Sequence, residues 1–170
     1  MVTVTVAVLS VMLASACGGA AGPPEHFTRV ETGWMTIDIP EGWVPVEAGE
    51  PWTQAYADTD DDSATVMLAI SPTYSESNTA NGAAADIIAS AQFTYPQFQV
   101  VPSAEGTNDD FNHFSQTRFT YSGSDGQALE GVIWGVADDA QRAVVVQLTG
   151  ENLGDDLVTT IGKSIKIVKD

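Results

Sequence analysis

Alternating apolar and polar residues mark the first strand that the sequence predicts. In residues 33–39, every second position from Met35 is apolar, namely Met35, Ile37 and Ile39, and Pro40 ends the pattern. Because successive side chains of a strand point to opposite faces, this run predicts a half-buried β-strand. A turn then leads into residues 43–46, which we expect to form an edge strand, because Pro45 cannot donate to a sheet ladder.

Six further runs have the length and composition of strands, and turn residues separate them. They cover residues 51–57, 65–71, 97–101, 114–121, 128–136 and 143–149. Short connections rich in Gly and Asp join the last three runs, which predicts an antiparallel meander. We expect a turn at residues 58–63 and a loop at residues 106–111.

Two segments repeat apolar residues at helical spacing. The first covers residues 82–95, with Asn81 as the expected N-cap. The second is expected at residues 155–165, with acidic residues at its start and Lys163 near its end, as the helix dipole favours. Residues 165–168 follow as a last strand. The order of strands, helix, strands and helix predicts an α+β fold in which helices pack on a mainly antiparallel sheet.

The start of the chain differs from the rest in its composition. Residues 1–16 contain no charged side chain and form an apolar stretch of signal-peptide length, which is too short to span a membrane comfortably. Residues 13–19 resemble the lipobox of bacterial lipoproteins, in which small residues precede a cysteine that receives a diacylglyceryl group. The resemblance implies that residues 1–16 are removed and that lipidated Cys17, the single cysteine of the chain, becomes the new N-terminus.

The segment after Cys17 has the composition of a tether. Residues 17–28 are rich in Gly, Ala and Pro and show no periodicity, so we expect a flexible linker. The folded domain is then expected to cover residues 29–170 as one unit, long enough to bury a core without disulfides or metals. Signal peptides begin with Lys or Arg, whereas the first basic residue here is Arg29, which a start upstream of Met1 would explain.

The two ends of the domain carry a family resemblance. The strand at residues 33–39 runs into Pro40-Glu41-Gly42-Trp43, and the closing helix ends in Gly162-Lys163-Ser164-Ile165. Both segments resemble PsbP-like domains, and the chain is similar to the LpqN and LpqT group of actinobacterial lipoproteins. The resemblance implies a three-layer α/β/α sandwich and a binding or accessory role in place of catalysis. It carries over no functional residue.

Charge narrows the choice of partners. The chain has 23 Asp and Glu against 6 Lys and Arg, a formal net charge of -17. Nucleic acid is excluded as a partner, because its binding needs clustered basic residues, and anionic lipid headgroups are disfavoured. The field of such a surface favours cations and basic partners, although solubility alone accounts for the excess of acid.

The densest acidic cluster matches part of an EF-hand loop. Asp58, Asp60 and Asp62 occupy the first three ligand positions, but Ser63 and Ala69 stand where the loop requires Gly and Glu. We therefore expect a hairpin-tip turn in place of a specific calcium site.

Asp109, Asp110 and His113 are the residues best placed in sequence for acid-base chemistry. A zinc site needs three or four ligands, and beyond His113 the candidates are His26 in the tether and the lipidated Cys17. Gly-x-Ser-x-Gly, Walker-type and Gly-x-Gly-x-x-Gly sequences are all missing. We expect a solvated loop here, and we expect the protein to have no catalytic residue, metal or cofactor.

The chain has four tryptophans, at Trp34, Trp43, Trp52 and Trp134. Aromatic residues dominate pockets and interaction faces, although core packing explains these four equally well. The sequence as a whole predicts a lipid-anchored, non-catalytic module on the outer face of the cell membrane that binds an envelope protein, lipid or glycan. The alternative is a hydrolase of envelope polymers that uses acidic residues.

Overall fold

The computed structural model describes residues 22–60, 64–74, 77–101, 104–107 and 113–168. In chain order, its elements are β1 (Phe27–Thr32), β2 (Met35–Pro40), β3 (Val44–Val46), β4 (Gln54–Ala57), β5 (Val66–Ser71), α1 (Ala80–Thr94), β6 (Gln99–Val100), β7 (Ala104–Thr107), β8 (His113–Ser122), β9 (Ala128–Ala137), β10 (Ala143–Gly150), α2 (Asp155–Ser164) and β11 (Lys166–Ile167). Cys17 and the predicted signal peptide lie outside the described residues, as do Asp61, Asp62, Asp109 and Asp110.

The strands form two sheets. The smaller sheet has the order β1-β2-β11, and the larger has the order β3-β4-β5-β10-β9-β8-β6, with β7 also pairing with β8. All of these pairs are antiparallel. The predicted meander is therefore confirmed as β8-β9-β10. The predicted edge strand is confirmed as β3, in which Pro45 is exposed.

The large sheet is covered on both faces. Val132, Trp134 and Val136 of β9 pack into a core together with residues of α2 and the small sheet. Ile133 and Ala137 point the other way and pack into a second core with α1. We call these two sides the α2 face and the α1 face. The molecule is thus an α+β fold of three layers, which confirms the predicted fold class.

Two glycines allow the helices to lie this close to the sheet. A Cβ atom at Gly135 in β9 would come within 2.0 Å of the carbonyl oxygen of Ala80 at the start of α1. A Cβ atom at Gly162 in α2 would lie 2.7 Å from Nε1 of Trp134. Each helix therefore contacts β9 at a position where a larger residue would force it away.

A hydrogen bond from Asp38 to Ser164 joins the small sheet to α2, and an ion pair within the sheet orders Asp38. Arg29 of β1 donates from Nε and Nη2 to the two carboxylate oxygens of Asp38 of β2, at 2.7 and 2.9 Å. These hydrogen bonds outweigh the effect of burial and raise the pKa of Arg29. The backbone N–H of Asp38 donates to Oγ of Ser164 at 2.9 Å, and this hydroxyl donates to the carbonyl oxygen of Ile161 at 2.7 Å.

The first helix begins earlier than predicted. It starts at Ala80, and its N-cap is Thr79, whose hydroxyl accepts a hydrogen bond from the N–H of Gly82 at 3.1 Å. Asn81 lies inside the first turn, so its prediction as the cap is wrong. Thr and Asn are both favoured caps, and here Thr79 is the residue with the extended backbone that a cap requires, with φ -132° and ψ 149°.

Two strands are not predicted by the sequence. Strand β1 begins at Phe27, ahead of Arg29, and β7 includes residues 106 and 107 of the segment that we expected to be a loop. β1 is half exposed and carries charged side chains, and β7 is short. Each is held by antiparallel pairing with the strand that follows it in the chain, β2 or β8, and neither has an alternating apolar pattern of its own.

Gly135→Ala should destabilise the fold, because the added methyl group meets the backbone of α1, which cannot rotate away. We expect a loss of about 1–3 kcal/mol in the free energy of unfolding, the usual cost of overpacking, measured by urea denaturation. Gly49→Ala is the matched control, since a Cβ atom there meets nothing within 4 Å. Equal losses in the two variants would contradict the close contact between α1 and β9.

Asp38→Asn should lower the free energy of unfolding by about 3 kcal/mol, because it removes the buried negative charge to which the guanidinium of Arg29 donates. Asp38 is 3% exposed, so the carboxylate side of the pair is shielded from water, while the side chain of Arg29 is 25% exposed. The double variant Arg29→Met, Asp38→Leu should recover most of the loss, because no unpaired charge remains. A double variant less stable than Asp38→Asn in urea denaturation would show this account to be wrong.

Candidate functional site

A cavity of about 250 Å³ lies between α2 and the α2 face of the large sheet. We call it the α2 cavity. Strands β8 and β9 and the second half of α2 with its cap line it through Phe114, Gln116, Trp134, Val136, Thr159, Gly162, Lys163 and Ile165. Mostly apolar walls with a few polar groups are typical of small-molecule sites.

Trp134 fixes the orientation of the polar side chain beside it. Trp134 and Gln116 stand directly opposite each other on β9 and β8, and the indole Nε1 donates to Oε1 of Gln116 at 2.8 Å. An indole N–H can only donate, so the amide of Gln116 must turn its oxygen toward Trp134. The amide nitrogen of Gln116 then has no hydrogen-bond partner among the described residues, and it remains available to the cavity.

Two exposed side chains of α2, Thr159 and Lys163, border the same cavity. Lys163 forms no ion pair with any residue that the structure describes. The described arginines each pair with an aspartate, Arg29 with Asp38, Arg118 with Asp155 and Arg142 with Asp138. The polar groups at the α2 cavity are therefore an amide N–H₂, an ammonium group and a hydroxyl.

One residue of this site is a candidate by its sequence, and the other polar residues of the site are not. Trp134 is among the aromatic candidates, but Lys163 is assigned to the helix dipole and Gln116 is not noticed. A single glutamine within a strand gives no signal of its own. The register of β8 against β9 is what brings Gln116 beside Trp134.

The four tryptophans do not share one face. Trp134 is buried, and Trp34 and Trp43 are partly buried against the same core on the α2 face. Trp52 packs against the core of the α1 face. Core packing therefore accounts for the position of all four, and among them Trp134 is the one that lines the α2 cavity.

The acidic turn between β4 and β5 is closed by Asp58. Its carboxylate accepts hydrogen bonds from the N–H of Thr65 at 3.0 Å and from the hydroxyl of Thr65 at 2.5 Å. The bond from the hydroxyl lowers the pKa of Asp58. Asp58 is thus engaged in the antiparallel β4-β5 hairpin, as expected of a hairpin-tip turn, whereas Asp60 is exposed and Asp62 lies outside the described residues.

His113 begins β8 and is largely exposed. Its Nε2 lies 3.5 Å from an oxygen of Asp139, which is also exposed. The neighbouring Asp138 accepts hydrogen bonds from the backbone N–H and Nε of Arg142, at 2.9 and 2.8 Å. Burial opposes the ionisation of Asp138, but its bonds to Arg142 outweigh burial and lower the pKa of Asp138. These contacts close the turn between β9 and β10.

Among residues 22–60, 64–74, 77–101, 104–107 and 113–168, no group of three or more His, Cys, Asp and Glu side chains is placed to hold a metal ion. Across the same part of the chain, no helix combines the length and the apolar character needed to cross a membrane.

Two larger cavities differ from the α2 cavity in their chemistry. In a groove of about 290 Å³ beside α1, the amide nitrogen of Gln147 already donates to the hydroxyl of Tyr95 at 3.0 Å. A cavity of about 400 Å³ at the start of α1 includes His113 and Asp138. Neither is lined by two described carboxylates, the minimum equipment of a glycosidase. The α2 cavity, with its unpartnered donor, is therefore the strongest candidate site.

Comparison with known proteins finds similarity at the level of the fold. No family model and no curated protein matches the sequence. The solution structure of cyanobacterial PsbP (CyanoP) from Synechocystis sp. PCC 6803 matches with a TM-score of 0.58 and 13% sequence identity, over 88% of this chain and 98% of that chain. The Ran-binding protein Mog1p of Saccharomyces cerevisiae matches with a TM-score of 0.54 and 11% identity, over 84% of this chain and 95% of that chain. The shared architecture confirms that this chain has a PsbP-like fold.

Proposed function

We propose that this protein is a lipid-anchored lipoprotein of the cell envelope, whose domain binds a small, largely apolar ligand in the α2 cavity without catalysing a reaction. The observation that carries the binding function is the cavity itself, with its apolar walls and the amide nitrogen of Gln116, which has no partner among the described residues. The proposal includes membership of the actinobacterial lipoprotein group of LpqN and LpqT, which the sequence resembles.

The sequence ahead of the domain supports the anchor. Cys17 follows small residues at the end of an uncharged apolar stretch. A diacylated cysteine carries two acyl chains, which give stable attachment, whereas a single chain binds a membrane only marginally. The acidic domain, in a chain with a net charge of -17, gains nothing from anionic headgroups. The acyl chains would therefore supply the membrane contact.

Size and lining both support a small ligand. A cavity of about 150 Å³ accommodates benzene, so the α2 cavity, at about 250 Å³, has room for an aromatic ring with a short polar substituent. Phe114, Trp134 and Val136 offer apolar contact from two strands that pair along their whole length in the meander. Preorganised walls of this kind keep the entropic cost of binding low.

Cys17→Ala should leave the domain folded but move the protein from the detergent phase into the aqueous phase on phase partitioning, because the variant receives no acyl chains. Ser15→Ala is the matched control, since it keeps both the cysteine and a small residue before it, and its partitioning should match that of the wild type. Retention of Cys17→Ala in the detergent phase would sink the lipoprotein proposal.

Thr159→Trp should block the α2 cavity, because the indole added at this exposed lining position occupies its mouth. With the neutral ligand cinnamamide as the probe, we expect binding at one site of the wild-type chain and a loss of affinity of about tenfold or more in the variant, measured by isothermal titration calorimetry.

Thr28→Trp is the control for this experiment. It adds the same side chain at an exposed position of β1 that does not line the cavity, so it should bind cinnamamide as the wild type does. Equal affinity in Thr159→Trp and the wild type would place the ligand elsewhere, and the absence of binding to the wild type would refute the cavity as a ligand site.

A further inference from the structure

The side chains that offer polar atoms to the α2 cavity are mainly hydrogen-bond donors. Gln116 has its carbonyl oxygen engaged by Trp134 and presents its N–H₂ group. Lys163 presents an ammonium group, which has three donors and no acceptor. The hydroxyl of Thr159 can act in either role. A ligand that satisfies this set must present oxygen acceptors, and the ammonium group favours acceptors with negative charge.

Lys163 places a positive charge at the cavity of a strongly acidic protein. A net charge of -17 creates a potential that repels anions from most of the surface. Lys163 has no ion pair within the described residues, so its charge is not neutralised by a neighbouring carboxylate there. An anionic ligand therefore meets an attractive group at this cavity.

The two donors belong to different elements, and different interactions place them at the cavity. Lys163 lies in the last turn of α2, where its ammonium group also offsets the partial negative charge of the helix C-terminus. Gln116 belongs to the opposite wall, and its orientation is set by the indole of Trp134. The helix dipole thus explains a lysine at this position but does not explain an amide nitrogen presented to the same cavity.

From this juxtaposition we propose that the α2 cavity selects small carboxylic acids. The apolar body of the ligand packs between Trp134 and Val136 on the sheet and the second half of α2, and its carboxylate accepts hydrogen bonds from the amide of Gln116 and the ammonium of Lys163. This inference rests on the proposed binding function and adds the chemical class of the ligand to it.

Cinnamate and cinnamamide provide the test, because they share one apolar body and differ in the carboxylate. The full wild-type chain should bind cinnamate about tenfold more tightly than cinnamamide near neutral pH, since a charge-assisted hydrogen bond is stronger than a neutral one. Lys163→Gln should remove this preference by weakening cinnamate alone. Both affinities are measured by isothermal titration calorimetry.

Two further variants make the test specific. Gln116→Glu keeps an acceptor for Trp134 but places a negative charge in the cavity, so it should reverse the preference in favour of cinnamamide. Lys166→Gln removes the same charge from β11, outside the cavity lining, and should keep the preference of the wild type. Lys163 is exposed, so Lys163→Gln remains decisive even if Gln116→Glu does not fold.

The outcomes separate this inference from the function on which it rests. Equal affinities of the wild type for the two ligands would overturn the inference and leave the binding function standing. The inference would also be overturned if Lys163→Gln left the affinity for cinnamate unchanged. It would be overturned as well if Lys166→Gln lowered that affinity as much as Lys163→Gln does. Failure of both ligands to bind the wild type would overturn the binding function and the inference together.

Discussion

Burial of β9 on both faces is the constraint around which the molecule is organised. Every residue of β9 from Gly131 to Ala137 is buried, and so is the whole of β10 beside it. Backbone groups in such a position must find hydrogen-bond partners within the protein, and β9 obtains them from antiparallel ladders with β8 and β10. Side chains on both faces must then fit a fixed space, which explains the glycine at 135 under α1.

Much of this architecture could be predicted because it depends on local patterns. Strand β2 alternates apolar and polar residues, β5 is a short apolar run, and the meander is bounded by turn residues that divide three apolar runs. The helix α2 has one apolar stripe, with Val158 and Ile161 buried on it. Strands β1 and β7 are not predicted because neither has alternating apolar residues, and pairing with the next strand in the chain holds each of them. The start of α1 was misplaced because Thr79 and Asn81 suit a cap equally well by composition.

The candidate site was less accessible to sequence analysis, for a physical reason. In the cavity, what a side chain can bind depends on the residue that faces it. The strand register places Gln116 opposite Trp134, and this contact orients the amide of Gln116. Lys163 takes part because α2 packs along the same strands. Two candidates from the sequence have other positions, since Asp58 closes a hairpin and His113 lies exposed beside Asp139. The carboxylate of Asp58 is occupied by the donors of Thr65.

The arrangement of the small sheet also determines how the molecule bears a mechanical load. The first strand, β1, and the last, β11, flank β2, so a pull on the chain ahead of Phe27 enters through the β1-β2 ladder. The load passes across the bond between Arg29 and Asp38 and through Ser164 into α2. Tension along the strand axis stretches these bonds together, in shear, and does not open them one at a time. Helix α2, which forms one wall of the α2 cavity, is therefore bonded to the sheet that resists a pull from the N-terminal side.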